Sequence, residues 1–337
     1  MEKIKVCKSP DYNFIFNPND GFFARWGKTK EDDPAFSPYG NEILDIEITD
    51  ICKGPGGIPC PFCYKSNNPK NTSNMTLEMF KDVMSKMPKT LTQIAIGADA
   101  QATSNPDIWK MMEHSRSLGI VPNITVADIS DDTADKLSSL CGAVAVSRYE
   151  NKNYCYESIK KLIDRDMKQI NIHIMISEET YDQIFETFYD YIEGEERLKG
   201  LNAIVLLSLK TKGRGESFTP LSQKRFAKLV NFAMENNIPL GFDSCSCHKF
   251  LESIKERKDY KHLEMMSEPC ESTCFSAYVN SKGDFFPCSF AEGEGEWKTG
   301  IHVPDCEDYK GFWNQSKTEK FRKILLGNGR HCPLFKV

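Results

Sequence analysis

With 337 residues, 40% of them hydrophobic and 27% charged, the chain is long enough for one large globular domain plus an appendage, and its composition excludes disorder. A formal charge of −5 and a pI near 5.8 argue against a broad phosphate-neutralising surface, so nucleic acid is disfavoured as a partner. No apolar run approaches the roughly 20 residues of a membrane span, and the start Met1-Glu2-Lys3-Ile4-Lys5-Val6 lacks a signal peptide's apolar core. A cytoplasmic location with no membrane partner is therefore expected. In such a reducing compartment thirteen cysteines read as metal ligands and buried thiols rather than disulfides.

In chain order, the aromatic runs 12–16 and 22–26 flank Asn17-Pro18-Asn19-Asp20-Gly21, a turn sequence, and predict a hairpin whose expected role is to cover an open sheet edge. Residues 27–40 read as a linker. From Ile43 to Ile51, Leu44, Ile46 and Ile48 alternate with Asp45, Glu47 and Thr49, the period of a strand. A helix comes next, capped by Thr76, with Leu77, Phe80, Val83, Met84 and Met87 on one face and Pro88 ending it. Strand and helix patterns then alternate: strands at 93–96, 122–127, 143–147, 169–177, 203–209 and 238–242, helices between them. Six strand–helix units and one extra strand predict a parallel α/β sheet, either a partial (β/α)6 barrel of the TIM type or a doubly wound open sheet, which periodicity alone admits.

Between the first strand and first helix lies Cys52-Lys53-Gly54-Pro55-Gly56-Gly57-Ile58-Pro59-Cys60-Pro61-Phe62-Cys63-Tyr64. Its glycines and prolines keep the backbone irregular, so three thiolates can converge just beyond a strand's carboxyl end. Structural zinc normally takes four protein ligands, whereas an iron–sulfur cube can be held by three thiolates with one iron left open to a substrate or cofactor. This loop resembles the cluster loop of the radical S-adenosylmethionine (SAM) superfamily, where the common spacing is C-x3-C-x2-C with an aromatic before the last Cys. Here it is C-x7-C-x2-C with Phe62 in the aromatic place, so the second half matches and the first spacing is four residues longer. The resemblance implies a [4Fe-4S] cluster on Cys52, Cys60 and Cys63 beside bound SAM.

The resemblance also assigns SAM contacts at strand ends. Gly97-Ala98-Asp99, after the second strand, is similar to the family's Gly-Gly-Glu, which contacts the SAM amino group; Ser147 and Arg148, after the fourth, and Ser177, after the fifth, are positional candidates for its ribose and carboxylate. His173 reads as a barrel-interior histidine. The run Lys210-Thr211-Lys212-Gly213-Arg214-Gly215 is a basic loop able to bind a carboxylate or phosphate, or simply solvated, and without Walker spacing.

The C-terminal third carries Cys245, Cys247, Cys270, Cys274, Cys288, Cys306 and Cys332. Cys270-x12-Gly283-x4-Cys288, spanning a strand, a Lys-Gly-Asp turn and a Pro-Cys, resembles the opening of SPASM and twitch extensions. That likeness implies one auxiliary [4Fe-4S] cluster on Cys245, Cys270, Cys288 and Cys332, with Cys247 and Cys274 as contenders. Cys7, Cys141 and Cys155 are expected to be buried thiols, and Cys306 is ambiguous. The expected division is a hairpin and linker over 1–40, a barrel over 41–243 and a cluster extension over 244–337. As a whole the resemblance implies an enzyme that cleaves SAM reductively and abstracts hydrogen from a peptide or protein. Its electron donor would be of the flavodoxin or ferredoxin type. A small metabolite or RNA nucleoside as substrate, a zinc-binding scaffold and an electron-transfer protein are the alternatives.

Overall fold

The structure, a computed structural model, describes residues 3–336. Strands β1 (Lys5–Cys7), β2 (Asn13–Phe16) and β3 (Phe23–Trp26) form an antiparallel sheet of their own. Seven strands then run parallel, each beside its neighbour in sequence: β4 (Ile43–Glu47), β5 (Gln93–Gly97), β6 (Val121–Val126), β7 (Val144–Ser147), β8 (Ile170–Ile176), β9 (Ala203–Ser208) and β10 (Leu240–Phe242). A doubly wound sheet reverses its strand order part-way, and this one does not, so the partial-barrel form of the α/β expectation holds.

Helices α1 (Leu77–Lys86), α2 (Ile108–Ser117), α3 (Asp131–Leu140), α4 (Lys152–Ile163), α5 (Tyr181–Ile192) and α6 (Gln223–Glu235) fill the crossovers. Thr76 caps α1 as expected, its side chain accepting from the Met79 amide, and Ser130 and Ser222 do the same for α3 and α6. The alternation in β4 decides what the first strand offers to each side. Leu44, Ile46 and Ile48 are fully buried in the hydrophobic core, while Asp45, Glu47 and Thr49 face the barrel interior.

Beyond β10 come α7 (Cys247–Ile254), α8 (Tyr260–Met265), strands β11 (Ser276–Val279), β12 (Asp284–Phe286) and β13 (Ile301–His302), then α9 (Lys310–Trp313) and α10 (Ser316–Gly327). The free edge of β4 is taken by β11, in parallel from Ser276 opposite Ile43 to Val279 opposite Ile46, and β12 and β13 extend the sheet antiparallel to ten strands. This corrects the expectation that the N-terminal hairpin covers that edge. Ala277, Tyr278 and Val279 are all buried, as a strand covered on both faces requires; β2 alternates buried and half-buried residues, the pattern of a strand with one covered face. The N-terminal sheet is instead fixed through Arg25, whose guanidinium pairs with buried Glu42 at 2.9 Å and with Glu268 at 3.0 Å and stacks on Phe275. No helix among the described residues is long and apolar enough to cross a membrane.

Candidate active site with two cysteine-lined cavities

A cavity of about 520 Å³ opens where the carboxyl ends of β4 to β9 meet, and Cys52, Cys60 and Cys63 all line it. The longer Cys52–Cys60 spacing is absorbed by a side lobe. Gly54 and Gly56 take φ of 74° and 59°, and a Cβ on Gly54 would stand 1.8 Å from the Ile58 carbonyl oxygen. The lobe is pinned to neighbouring strand ends, with Gln101 Nε2 donating to the Gly54 carbonyl at 2.9 Å and the Gly56 amide to Asp128 at 3.2 Å. The extra residues are thus taken up in the lobe while all three cysteines line one cavity. Gly54→Ala combines strained φ with a backbone clash and is expected to cost about 2 kcal/mol or more locally; iron uptake by this loop should fall while the circular-dichroism spectrum stays unchanged.

Phe62 stacks on Tyr149, ring centroids 5.6 Å apart and 7° between planes, and roofs one side of the cavity. Burial pushes the Cys60 thiol up to about 12, so this sulfur stays protonated at neutral pH until a metal displaces the proton. Below the loop, Lys65 pairs with Glu47 at 3.1 Å and with Glu292, and donates to the Tyr278 hydroxyl at 2.9 Å. Tyr278 in turn donates to Glu47 at 3.1 Å. The cysteine loop, β4 and β11 therefore share one ionic knot.

Of the residues named from sequence for SAM, Phe62, Gly97, Ala98 and Ser147 line this cavity. Three others are engaged elsewhere. Asp99 is buried, its Oδ1 accepting from the Thr103 and Ser104 amides at 2.9 Å each, so the carboxylate closes its own loop. Arg148 is buried beside Glu186 at 2.6 Å and also donates to the Glu150 carbonyl. Ser177 exchanges hydrogen bonds with Thr180 at the entry to α5. Short polar side chains at strand ends often satisfy local backbone instead of reaching a ligand, and position after a strand does not reveal which they do. Sequence reasoning passed over Tyr149, Thr125 and Met175, which line the cavity, and Asp45, which the strand alternation turns inward, while Lys210, from the basic loop it singled out, also lines it. His173 also lines it, within 3.5 Å of the Thr125 hydroxyl; burial lowers its pKa to about 4 and keeps it neutral.

A second cavity of about 220 Å³ is lined by Cys245, Cys270, Cys288 and Cys332, brought together from four separate segments. Cys247 and Cys274 are buried but do not line it. Burial raises the Cys245 thiol far above its ordinary range and that of Cys288 to about 11. Cys141 packs on the Met112 sulfur, Cys155 lies under the Val146 carbonyl, Cys306 lies beside the His302 carbonyl and Cys7 is half-buried in β1. The two cavities share a wall made by Asp45, Lys210, Ser289 and Phe290.

Among the described residues no three His, Cys, Asp or Glu side chains lie close enough to grip one ion. A tetrahedral zinc site, with Zn–S near 2.3 Å, would hold its sulfurs about 3.8 Å apart. Three or four thiols lining one cavity match the ligand count of a polynuclear cluster, whose cysteines bind different iron atoms. The donor sets, three thiols facing the larger cavity and four around the smaller one, fit such groups.

No protein family's sequence profile matches the chain, and no characterised protein matches it in sequence. Among solved structures the chain is similar to Streptococcus suis SuiB bound to precursor peptide SuiA, at 12% identity and a TM-score of 0.68 over 94% of this chain and 90% of that one. It is less similar to BtrN in complex with AdoMet and 2-DOIA, at 12% identity and a TM-score of 0.46 over 85% and 87%. HydG from Carboxydothermus hydrogenoformans is similar at 13% identity and 0.44 over 86% and 67%. The likeness to SuiB shows a shared fold.

Proposed function

We propose that this protein is a radical SAM enzyme acting on a peptide. The observation that carries the reading is the convergence of Cys52, Cys60 and Cys63, from one loop after β4, on the cavity at the carboxyl ends of the barrel strands. Cys52, Cys60 and Cys63 would hold a [4Fe-4S] cluster there, which would supply the electron for reductive cleavage of SAM and so the radical chemistry that removes a hydrogen atom from the substrate. Phe62 and Tyr149 exclude water from one side, and Gly97 and Ala98, lacking bulk, let SAM approach the β5 backbone. Ser147 offers a hydroxyl to it from the end of β7. Cys245, Cys270, Cys288 and Cys332 are assigned to one auxiliary cluster within a 244–337 extension of the 41–243 barrel, and a flavodoxin or ferredoxin to the role of electron donor.

The fold shared with SuiB over nearly the whole chain, SuiB itself being bound to a precursor peptide, favours a peptide over a small metabolite. The test is anaerobic reconstitution with iron and sulfide, reduction in the presence of SAM, and an assay for 5′-deoxyadenosine. Product is expected without added substrate, and a chain that bound stoichiometric zinc, took up no sulfide and made no product would be a scaffold instead.

A further inference from the structure

The basic loop after β9 reads in sequence as an anion site or as a solvated turn, and in the structure its three cations are engaged with this chain's own cysteine-bearing segments. Lys210, 3% exposed, pairs with Asp243 at 3.0 Å, and Asp243 accepts from Ser246 to cap the turn that carries Cys245. Lys212 donates to the Phe290 carbonyl at 3.0 Å, donates to the Glu292 carbonyl, and pairs with Glu294 at 3.1 Å, all in the segment behind Cys288. Arg214 donates to the Cys60 carbonyl at 2.7 Å and the Asn67 carbonyl at 2.9 Å, and its amide to the Cys63 carbonyl at 3.1 Å. The approach is closed to any side chain between them. A Cβ on Gly213, at φ 56°, would lie 2.5 Å from the Tyr64 carbonyl oxygen and 2.8 Å from that of Cys63.

We propose that residues 210–214 form a strut that positions the two cysteine sites against each other, Arg214 holding the Cys52–Cys63 loop and Lys212 the segment behind Cys288. In its assignment of both sites to metal the inference rests on the function proposed above. Its physical content is separate: three residues within a run of five are bonded to three segments distant in sequence, so disorder in one is passed to the others. Coupling of this kind is reciprocal. Lys210 and Arg214 also place positive charge near the thiols of Cys245 and Cys60, which become anionic when they bind iron.

Arg214→Ala, Arg214→Lys and Lys212→Ala, compared with wild type by amide hydrogen exchange before and after reconstitution, test the proposal. Losing the two charge-assisted bonds of Arg214 should speed exchange over 60–67 about tenfold. Exchange over 288–294 should rise in the same variant, and α3 should not change. Lys212→Ala should give the converse pattern and alter the electron paramagnetic resonance line shape of the reduced first cluster, which Lys212 does not touch. Arg214→Lys keeps the charge and the amide bond but not the fork, and should recover most of the protection at 288–294. Should Arg214→Ala unfold globally, Arg214→Lys and Lys212→Ala carry the test alone. The strut is refuted if each variant loosens only its own contact segment, or if Lys212→Ala leaves the first cluster's spectrum unchanged. A wild-type chain that takes up no iron and sulfide would instead overturn the proposed function, while the exchange pattern of the unloaded protein still decides the strut.

Discussion

Alanine at Cys52, Cys60 and Cys63 together is expected to bring iron from about eight to about four atoms per chain and 5′-deoxyadenosine formation to background. The three thiols face a cavity to which Cys245, Cys270, Cys288 and Cys332 contribute nothing, so neither set supplies ligands to the other's cluster. Alanine at the latter four should likewise leave about four irons, but with SAM cleavage retained and substrate turnover lost. The single variants sharpen the assignment. Cys245→Ala should lose the second cluster, whereas Cys247→Ala and Cys274→Ala should keep it, because those two thiols stand outside the cavity. Iron and sulfide analysis beside the cleavage assay reads all of these, and retention of eight irons by Cys245→Ala would reassign the fourth ligand.

Asp45→Asn is expected to stabilise the protein before reconstitution by about 2 to 3 kcal/mol at pH 8 and by roughly half as much at pH 5. Asp45 makes no hydrogen bond or ion pair among the described residues, and burial raises its pKa from 3.8 to about 6. Between those two values the native state binds more protons than the unfolded chain. Stability therefore falls as pH rises through that window, and the full cost of the buried charge is present above pH 6. Asparagine removes the charge, although its unpaired amide offsets part of the gain. Urea denaturation of both proteins at the two pH values measures the difference, and an equal gain at pH 5 and pH 8 would show that ionisation of Asp45 is not its source. A gain confined to the ionised range would show that a carboxylate is kept in the wall common to both cavities at a cost in stability.

The barrel was legible because its signal is local. Alternation in β4, caps at Thr76 and helices between apolar runs all act within a few residues. The Cys60-Pro61-Phe62-Cys63 half of the loop was legible for the same reason. What sequence could not show was competition for hydrogen bonds: Asp99 and Ser177 carry the right chemistry at the right strand ends, yet their oxygens are satisfied by the loops they sit in. Nor could spacing reveal that Arg214 and Lys212 answer to carbonyls about 75 to 155 residues away, since such partners are set by the sheet's closure. Cys245 lines the second cavity and Cys247 does not, because residue 245 closely follows the last barrel strand while Cys247 begins α7 and is fully buried.

The parallel pairing of β11 with β4 joins residues about 230 positions apart. As the chain leaves the ribosome, β4 has β5 on one side within moments, but its other edge stays bare until residue 279 has emerged. Throughout that interval a hydrophobic strand with unpaired amides and carbonyls is exposed to other nascent chains. A truncation after β10 would make this interval permanent, and chaperone binding during synthesis should centre on the first barrel strand rather than on the last.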